Sequence, residues 1–154
     1  MLAGFIAFFI ARGTRSHDFE RERRRRKQDC LERAIEDFDQ FYYALQWLAS
    51  ASMAFAEVRM AEVKQLVHEE VVAAIRKEEV ARVGFCRNRS KLLIFGFERC
   101  AVALTHYEAE ALMMKTALLR LRQGEKIDFQ HLVADAEVKA HELREAVAVE
   151  LKRL

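Results

Sequence analysis

The side chains here with the widest chemical reach are five histidines, three cysteines and 24 carboxylates, and only a few stand at spacings that converge on a point. His106 with Glu110, His131 with Asp135, and Glu137 with His141 are each four residues apart. On a helix such a pair projects from one face and supplies two ligands to a metal. Pairs of this kind also arise readily in charged helices, where a surface hydrogen bond or ion pair is the plainer use. A di-metal carboxylate bundle needs Glu-x-x-His on facing helices. The nearest approach is Asp128-x-x-His131, where Asp128 is better employed as a helix cap. His68-Glu69-Glu70 lacks the second histidine of a zinc-protease helix. Cys30, Cys86 and Cys100 are odd in number and contain no Cys-x-x-Cys, the pattern of neither a disulfide framework nor a zinc site. A reducing compartment follows, with each thiol acting as a small buried apolar group. No glycine-rich phosphate loop and no Gly-x-Ser-x-Gly elbow is present. The sequence therefore proposes no catalytic residue, no metal ligand and no cofactor, and points to a protein that is not an enzyme.

The elements that must position everything else are helices. The chain has 154 residues, 52% of them apolar and 32% charged, which suits one packed domain, or one domain with an appendage. It has no proline and only five glycines, too few turn residues for an all-β or α/β chain of this length. From Cys30 the apolar residues recur in steps of three and four: Leu31, Ala34, Phe38, Phe41, Leu45, Leu48, Ser52 and Phe55. This is a long amphipathic helix with a near-heptad seam. After Ser52 the phase is lost and restarts at Met60, Val63, Leu66, Val67, Val71 and Ala74. With no glycine or proline between residues 14 and 83, nearly continuous helix with a kink or short break between residues 48 and 62 is favoured over two helices meeting at a turn.

Gly84, Asn88 and Gly96 place a connection within residues 84–97. The next seam runs Phe97, Cys100, Leu104, Tyr107, Ala111, Met114, Leu118, Leu121 and stops at Gly124, with Arg120 and Arg122 in the last turn. Asp128 then caps a final helix whose face is Phe129, Leu132, Val133, Ala136, Ala140, Leu143, Val147, Leu151 and Leu154. The expected fold is all-α: an elongated antiparallel bundle of three to four long amphipathic helices with coiled-coil-like seams. Five aromatics, Phe38, Phe41, Tyr42, Tyr43 and Trp47, crowd into ten residues. Phe38, Phe41, Tyr42, Leu45 and Trp47 are the expected helix–helix interface, and the excess over one narrow seam points to a second chain and a homo-oligomer.

Ahead of this bundle, assigned to residues 16–154, lies an apolar segment within residues 1–15. Leu2 to Ala11 (LAGFIAFFIA) is uncharged and is the candidate membrane anchor, carried by Leu2, Phe5, Ile6, Phe8, Phe9 and Ile10. Ten residues of helix reach about 15 Å, roughly half of a hydrocarbon core. The block then spans if the true start lies upstream or if its flanks snorkel with local thinning, lies in the interface, or is buried in a core or oligomer contact. No basic segment precedes it and no small-x-small site follows it, which disfavours a secretory signal. Residues 12–27 carry eight bases against three acids, a local charge of +5 in a chain of net charge +2, and Ser16 to Asp18 can begin a helix there. The candidate headgroup- or phosphate-binding residues are Arg21, Arg23, Arg24, Arg25, Arg26 and Lys27, in the run RERRRRK. Bases beside an apolar block attract anionic lipid headgroups and face the cytoplasm. A solvated helix face is the plainer alternative, and nucleic acid ranks last because no aromatic-interleaved basic surface accompanies the run.

The block LAGFIAFFIA, the run RERRRRK, and the junction Lys91-Leu92-Leu93-Ile94-Phe95-Gly96 before a helix together resemble a loose group of uncharacterised bacterial proteins. These have an N-terminal apolar anchor, an Arg-rich juxtamembrane segment and a cytoplasmic helical bundle. Phe97 stands where such proteins often carry a capping Ser or Thr. The resemblance implies an inner-membrane location with the bundle on the cytoplasmic side, and transfers no catalytic residue. The expected function is a membrane-associated helical scaffold or interaction protein, with lipid and a membrane or cytoplasmic protein as partners. The alternatives are a cytoplasmic homo-oligomeric module and, behind it, a nucleic-acid-binding bundle.

Overall fold

The computed structural model describes residues 17–154 with their side chains, so the anchor candidates Leu2, Phe5, Ile6, Phe8, Phe9 and Ile10 lie outside the described residues. Four helices follow one another: α1 (Leu2–Glu57), α2 (Ala61–Ile94), α3 (Glu98–Arg122) and α4 (Phe129–Arg153). Each turns back along its predecessor. α1 and α3 touch each other and both remaining helices, whereas α2 and α4 lie apart on the long diagonal of the bundle.

The seams pack as their spacing demands. Leu31, Ala34, Phe38, Phe41, Leu45 and Leu48 of α1 meet Val71, Ala74, Phe85 and Leu92 of α2 in one continuous core. Cys100, Leu104, Tyr107, Met114 and Leu118 of α3 close it, with Ala136, Ala140, Leu143 and Val147 of α4 behind them. At its centre Phe38, Phe41, Phe85 and Tyr107 form an aromatic cluster: Phe41 stacks on Phe85 at 5.0 Å, and Phe38 meets Tyr107 edge-on at 4.9 Å. Such pairs add about 0.5–1.5 kcal/mol each beyond the area they bury.

Two expectations about the connections need correction. The stretch between residues 48 and 62 holds a full reversal, not a kink in a nearly continuous helix. α1 ends at Glu57 and α2 starts after Met60, which is extended at φ −80°, ψ 128°. Glycine and proline are dispensable here because the reversal uses no positive φ; among the described residues only Gly96 and Gly124 adopt one. Conversely, Gly84 and Asn88 do not end a helix. They lie inside α2 and face Asp37 of α1: Asn88 donates to its carboxylate at 2.9 Å, and a Cβ at Gly84 would meet the same carboxylate at 3.5 Å. Their types answer to tertiary packing, so the connection shrinks to Phe95–Phe97. There Gly96 (φ 81°) sits at the heart of a Schellman motif, with Phe97 N–H bonded to Leu92 O at 2.8 Å and Gly96 N–H to Leu93 O at 3.0 Å. Leu92 and Phe97 are both buried, which supplies the apolar contact that accompanies this motif.

Gly124 repeats the arrangement at the end of α3, bonding Leu121 O, while Glu125 N–H bonds Arg120 O. The apolar contact is replaced by charge, with Arg120 Nε donating to Glu125 at 2.8 Å. Asp128 caps α4 by accepting from Gln130 N–H at 3.0 Å. Of the expected starters, Ser16 lies outside the described residues, and His17 and Asp18 are helical within α1, an Asp costing a helix interior only a few tenths of a kcal/mol.

Candidate functional site

The basic run lies at one end of the bundle, on a stretch of α1 that the core does not reach. Every residue from His17 to Asp29 is exposed except the half-buried Lys27, and burial begins at Cys30. Lys27 sets its ammonium over the ring of Phe97, 5.5 Å from its centroid, so the run is indexed to the α2–α3 turn. Arg26 pairs with Glu22 one turn back at 2.9 Å. Among the described residues Arg21, Arg23, Arg24 and Arg25 form no ion pair.

Other helices bring further bases to the same end. Arg23, Arg24 and Lys27 share an open hollow of about 390 Å³ with Glu20 and with Arg153 and Leu154 from the end of α4. Around the helix, Arg26 and Arg33 share a smaller hollow of about 210 Å³ with Asp29, Cys30 and, from the end of α2, Lys91 and Phe95. Bases beside the C-terminal turns of α2 and α4 complement those helix dipoles. They also outnumber the acids beside them, so this end presents positive charge to solvent. Phe19, 71% exposed, adds an aromatic side chain two residues before Arg21.

The interface residues occupy a different place. Phe38, Phe41 and Leu45 are buried at the contact of α1 with α2 and α3. Tyr42 and Trp47 are half-buried at its rims: Tyr42 lies 5.0 Å beneath the Arg144 guanidinium from α4, and Trp47 donates to Glu70 of α2 at 3.2 Å. Tyr43 alone of the aromatic group points outward, 66% exposed.

Several polar residues inside the bundle were not singled out by sequence reasoning. Glu78, 1% exposed, binds the Lys115 ammonium of α3, with the Arg82 guanidinium at 3.9 Å. Arg144 donates to Asp39 at 2.9 Å while stacking on Phe38 at 4.9 Å. The available signal for Glu78 was its place four residues after Ala74 on the apolar seam of α2, where a carboxylate needs a partner. These bonds join α2 to α3 and α4 to α1.

The thiols carry no activation. Burial pushes Cys86 and Cys100 up from the ordinary 9.0 to about 11, and the Cys86 thiol donates to Glu108 at 3.0 Å, which holds its proton further. Cys30 is raised by burial too, opposed by the charge of Lys91. Burial likewise raises Tyr107, whose hydroxyl finds no hydrogen-bond partner. Of the paired histidines, His131 Nε2 lies 3.9 Å from Asp128 in an exposed cap contact. His106 borders an open α3–α4 groove of about 470 Å³ with Glu98, Glu142 and Glu145. Among the described residues no three His, Cys, Asp or Glu side chains are grouped to hold a metal ion, and no helix is long and apolar enough to cross a membrane. No protein-family model, curated protein or solved structure matches the chain.

Proposed function

We propose that this chain is a non-enzymatic, membrane-associated helical scaffold, held against an anionic bilayer by its basic end and the Leu2–Ala11 block. It works by helix–helix contact with a membrane or cytoplasmic protein partner, from the cytoplasmic side of an inner membrane. The observation that carries this reading is the clustering of exposed bases from three helix segments at one end of the bundle. Four of them, Arg21, Arg23, Arg24 and Arg25, have no acidic partner among the described residues. Each base near an anionic surface contributes about 1 kcal/mol. The run follows directly on an uncharged, apolar segment, and the exposed Phe19 ring beside it suits the headgroup zone, where aromatic side chains concentrate.

The test is fractionation of the full chain between membranes and cytosol, with carbonate and high-salt washes. Retention through both washes is the expected result. Release by salt alone would leave the basic end as the sole attachment and remove the anchor from the reading. Recovery in the cytosol overturns it, and favours a homo-oligomer that buries the apolar block. Replacing Arg23, Arg24, Arg25 and Arg26 by Gln separates lipid from nucleic acid. Binding to vesicles rich in anionic lipid is expected to fall by two to three orders of magnitude, on the order of 1 kcal/mol per base. Low-salt binding of the unmodified chain to nucleic acid but not to vesicles would transfer the basic end to the other partner.

A further inference from the structure

The side of the bundle formed by α1 and α2 carries a groove of about 680 Å³, lined by Asp37 and Tyr43 of α1 and by Arg76, Lys77, Val80 and Gly84 of α2. Its middle is apolar and open to solvent, with Tyr43 66% and Val80 77% exposed. The two ends are oppositely charged. Asp37 lies six residues from Tyr43 in one direction, and Arg76 lies four residues from Val80 in the other, because the two helices are antiparallel. The pattern continues along the same helix faces. Arg33 stands one turn beyond Asp37, at four residues' spacing, and Glu69 two turns beyond Arg76, at seven. Along the groove the order is therefore positive, negative, apolar, positive, negative.

This order is its own complement under a two-fold rotation. An axis crossing the groove at Tyr43 and perpendicular to α1 inverts the sequence of charges, so each meets its opposite on a second copy. At about 1.5 Å per residue, Asp37 and Arg76 stand about 9 and 6 Å from the axis, and Arg33 and Glu69 about 15 and 17 Å, so the partners fall within about 3 Å of the same height. Gly84 makes the inner contact possible. Without a side chain there, the Asp37 carboxylate lies open at the groove floor, 3.5 Å from where a Cβ would stand. Among the described residues Arg33 and Arg76 form no ion pair within the chain, so both are available. A tyrosine at the centre of a patch with arginines around it has the composition of an interface, in which Tyr and Arg are enriched.

We propose that this groove is the two-fold interface of a homodimer, centred on Tyr43 and Val80, with Asp37 of each protomer against Arg76 of the other. Such an interface is isologous and closes at two copies. The protomers run antiparallel, so their basic ends point in opposite directions. Arg23 lies twenty residues from the axis, which separates the two runs by about 60 Å. The dimer is centred about 30 Å from Arg23 and shares only Arg33 with the hollows of the basic end, so its mass tests it separately from the membrane reading.

The test is sedimentation equilibrium of the full chain at tens of micromolar, in a density-matched mild detergent that keeps the apolar block from aggregating. The expected mass is twice that of the 17.9 kDa chain. Tyr43→Arg and Val80→Arg, both at exposed positions, are each expected to give the single-chain mass with unchanged helix content. Arg76→Glu weakens self-association at least tenfold, and mixing it with Asp37→Arg restores a one-to-one pair, since both cross-axis contacts then join opposite charges again. Asp37 also holds Asn88, so should Asp37→Arg fail to fold, the Tyr43 and Val80 variants decide the matter. A single-chain mass for the unmodified protein overturns the proposal. So does an oligomer that survives both Tyr43→Arg and Val80→Arg.

Discussion

The centre of the bundle and the tip of its first hairpin are built from the same pattern and meet opposite fates. On α1 and α2 alike, apolar residues recur in steps of three and four. Around Phe41 that stripe is sealed: Phe38, Phe41, Phe85 and Tyr107 are all almost wholly buried. Around the α1–α2 reversal none of it is sealed: Met60 and Leu66 are 68% exposed, Val63 is 40% exposed, and Val67, in line with Val71 and Ala74, is only half-buried. The difference is the length of the neighbours. α3 ends at Arg122, whose guanidinium rests over Phe55, and Phe55 lies against His68; residues 58–66 stand beyond that level. Periodicity states which face of a helix is apolar. Only a partner helix of sufficient length turns that face into core.

The comparison breaks most sharply at Phe41. Truncation to Ala removes a ring packed on Phe85 and edge-on to Tyr107, and is expected to cost about 4 kcal/mol by chemical denaturation. A loss under 1 kcal/mol would mean that the centre is no better packed than the tip.

Next in size is the Glu78–Lys115 pair, which gives the centre a polar feature the tip lacks. Glu78→Gln leaves Lys115 with Glu79 alone, at 3.8 Å, and is expected to cost up to about 3 kcal/mol at pH 7. The double replacement Glu78→Leu with Lys115→Met should recover most of that loss, since both charges leave together. If the double variant is no better than the single one, the pair holds the α2–α3 register as well as balancing charge.

The architecture was largely legible because it rests on local signals. The seams of α3 and α4, the glycine at Gly124 and the cap at Asp128 are properties of short stretches, and the structure holds all four. What escaped depended on residues far apart in sequence. Gly84 and Asn88 look like helix enders until Asp37, some fifty residues earlier, is placed against them. The reversal at residues 58–60 carried no turn residue because it needs no positive φ. The basic run was legible as a charge cluster, but its company of Arg153 and Lys91 follows from helix lengths that no local pattern states.

The glycines sharpen the same lesson at about 1 kcal/mol. Gly96 has a positive φ and Gly84 does not, so replacement by Ala should have opposite signs at the two positions. Gly96→Ala forces a Cβ into the left-handed region and is expected to destabilise by about 1–2 kcal/mol. Gly84→Ala places its Cβ at ordinary contact distance from Asp37 and gains helix propensity, stabilising by up to about 1 kcal/mol. Thermal melts of the two variants read the signs directly. A loss at Gly84 would mean that its neighbours cannot accommodate even a methyl group, so that the glycine serves the approach of α2 to α1.

The smallest expected effect belongs to the tip, and its smallness is what makes it informative. Leu66 is apolar, on the seam and exposed, so Leu66→Ser removes little buried surface and should shift stability by less than about 0.5 kcal/mol. The same substitution at Leu92, where α2 faces the core, exchanges a fully buried side chain for a small polar one and should cost several kcal/mol, near the Leu→Ala range of about 2–5 kcal/mol. Both leucines sit in α2 and both lose the same atoms, so propensity and composition cancel and only the covering differs. A loss at Leu66 approaching that at Leu92 would show that something covers the hairpin tip in solution, and the tip would then be a second contact surface beside the α1–α2 groove.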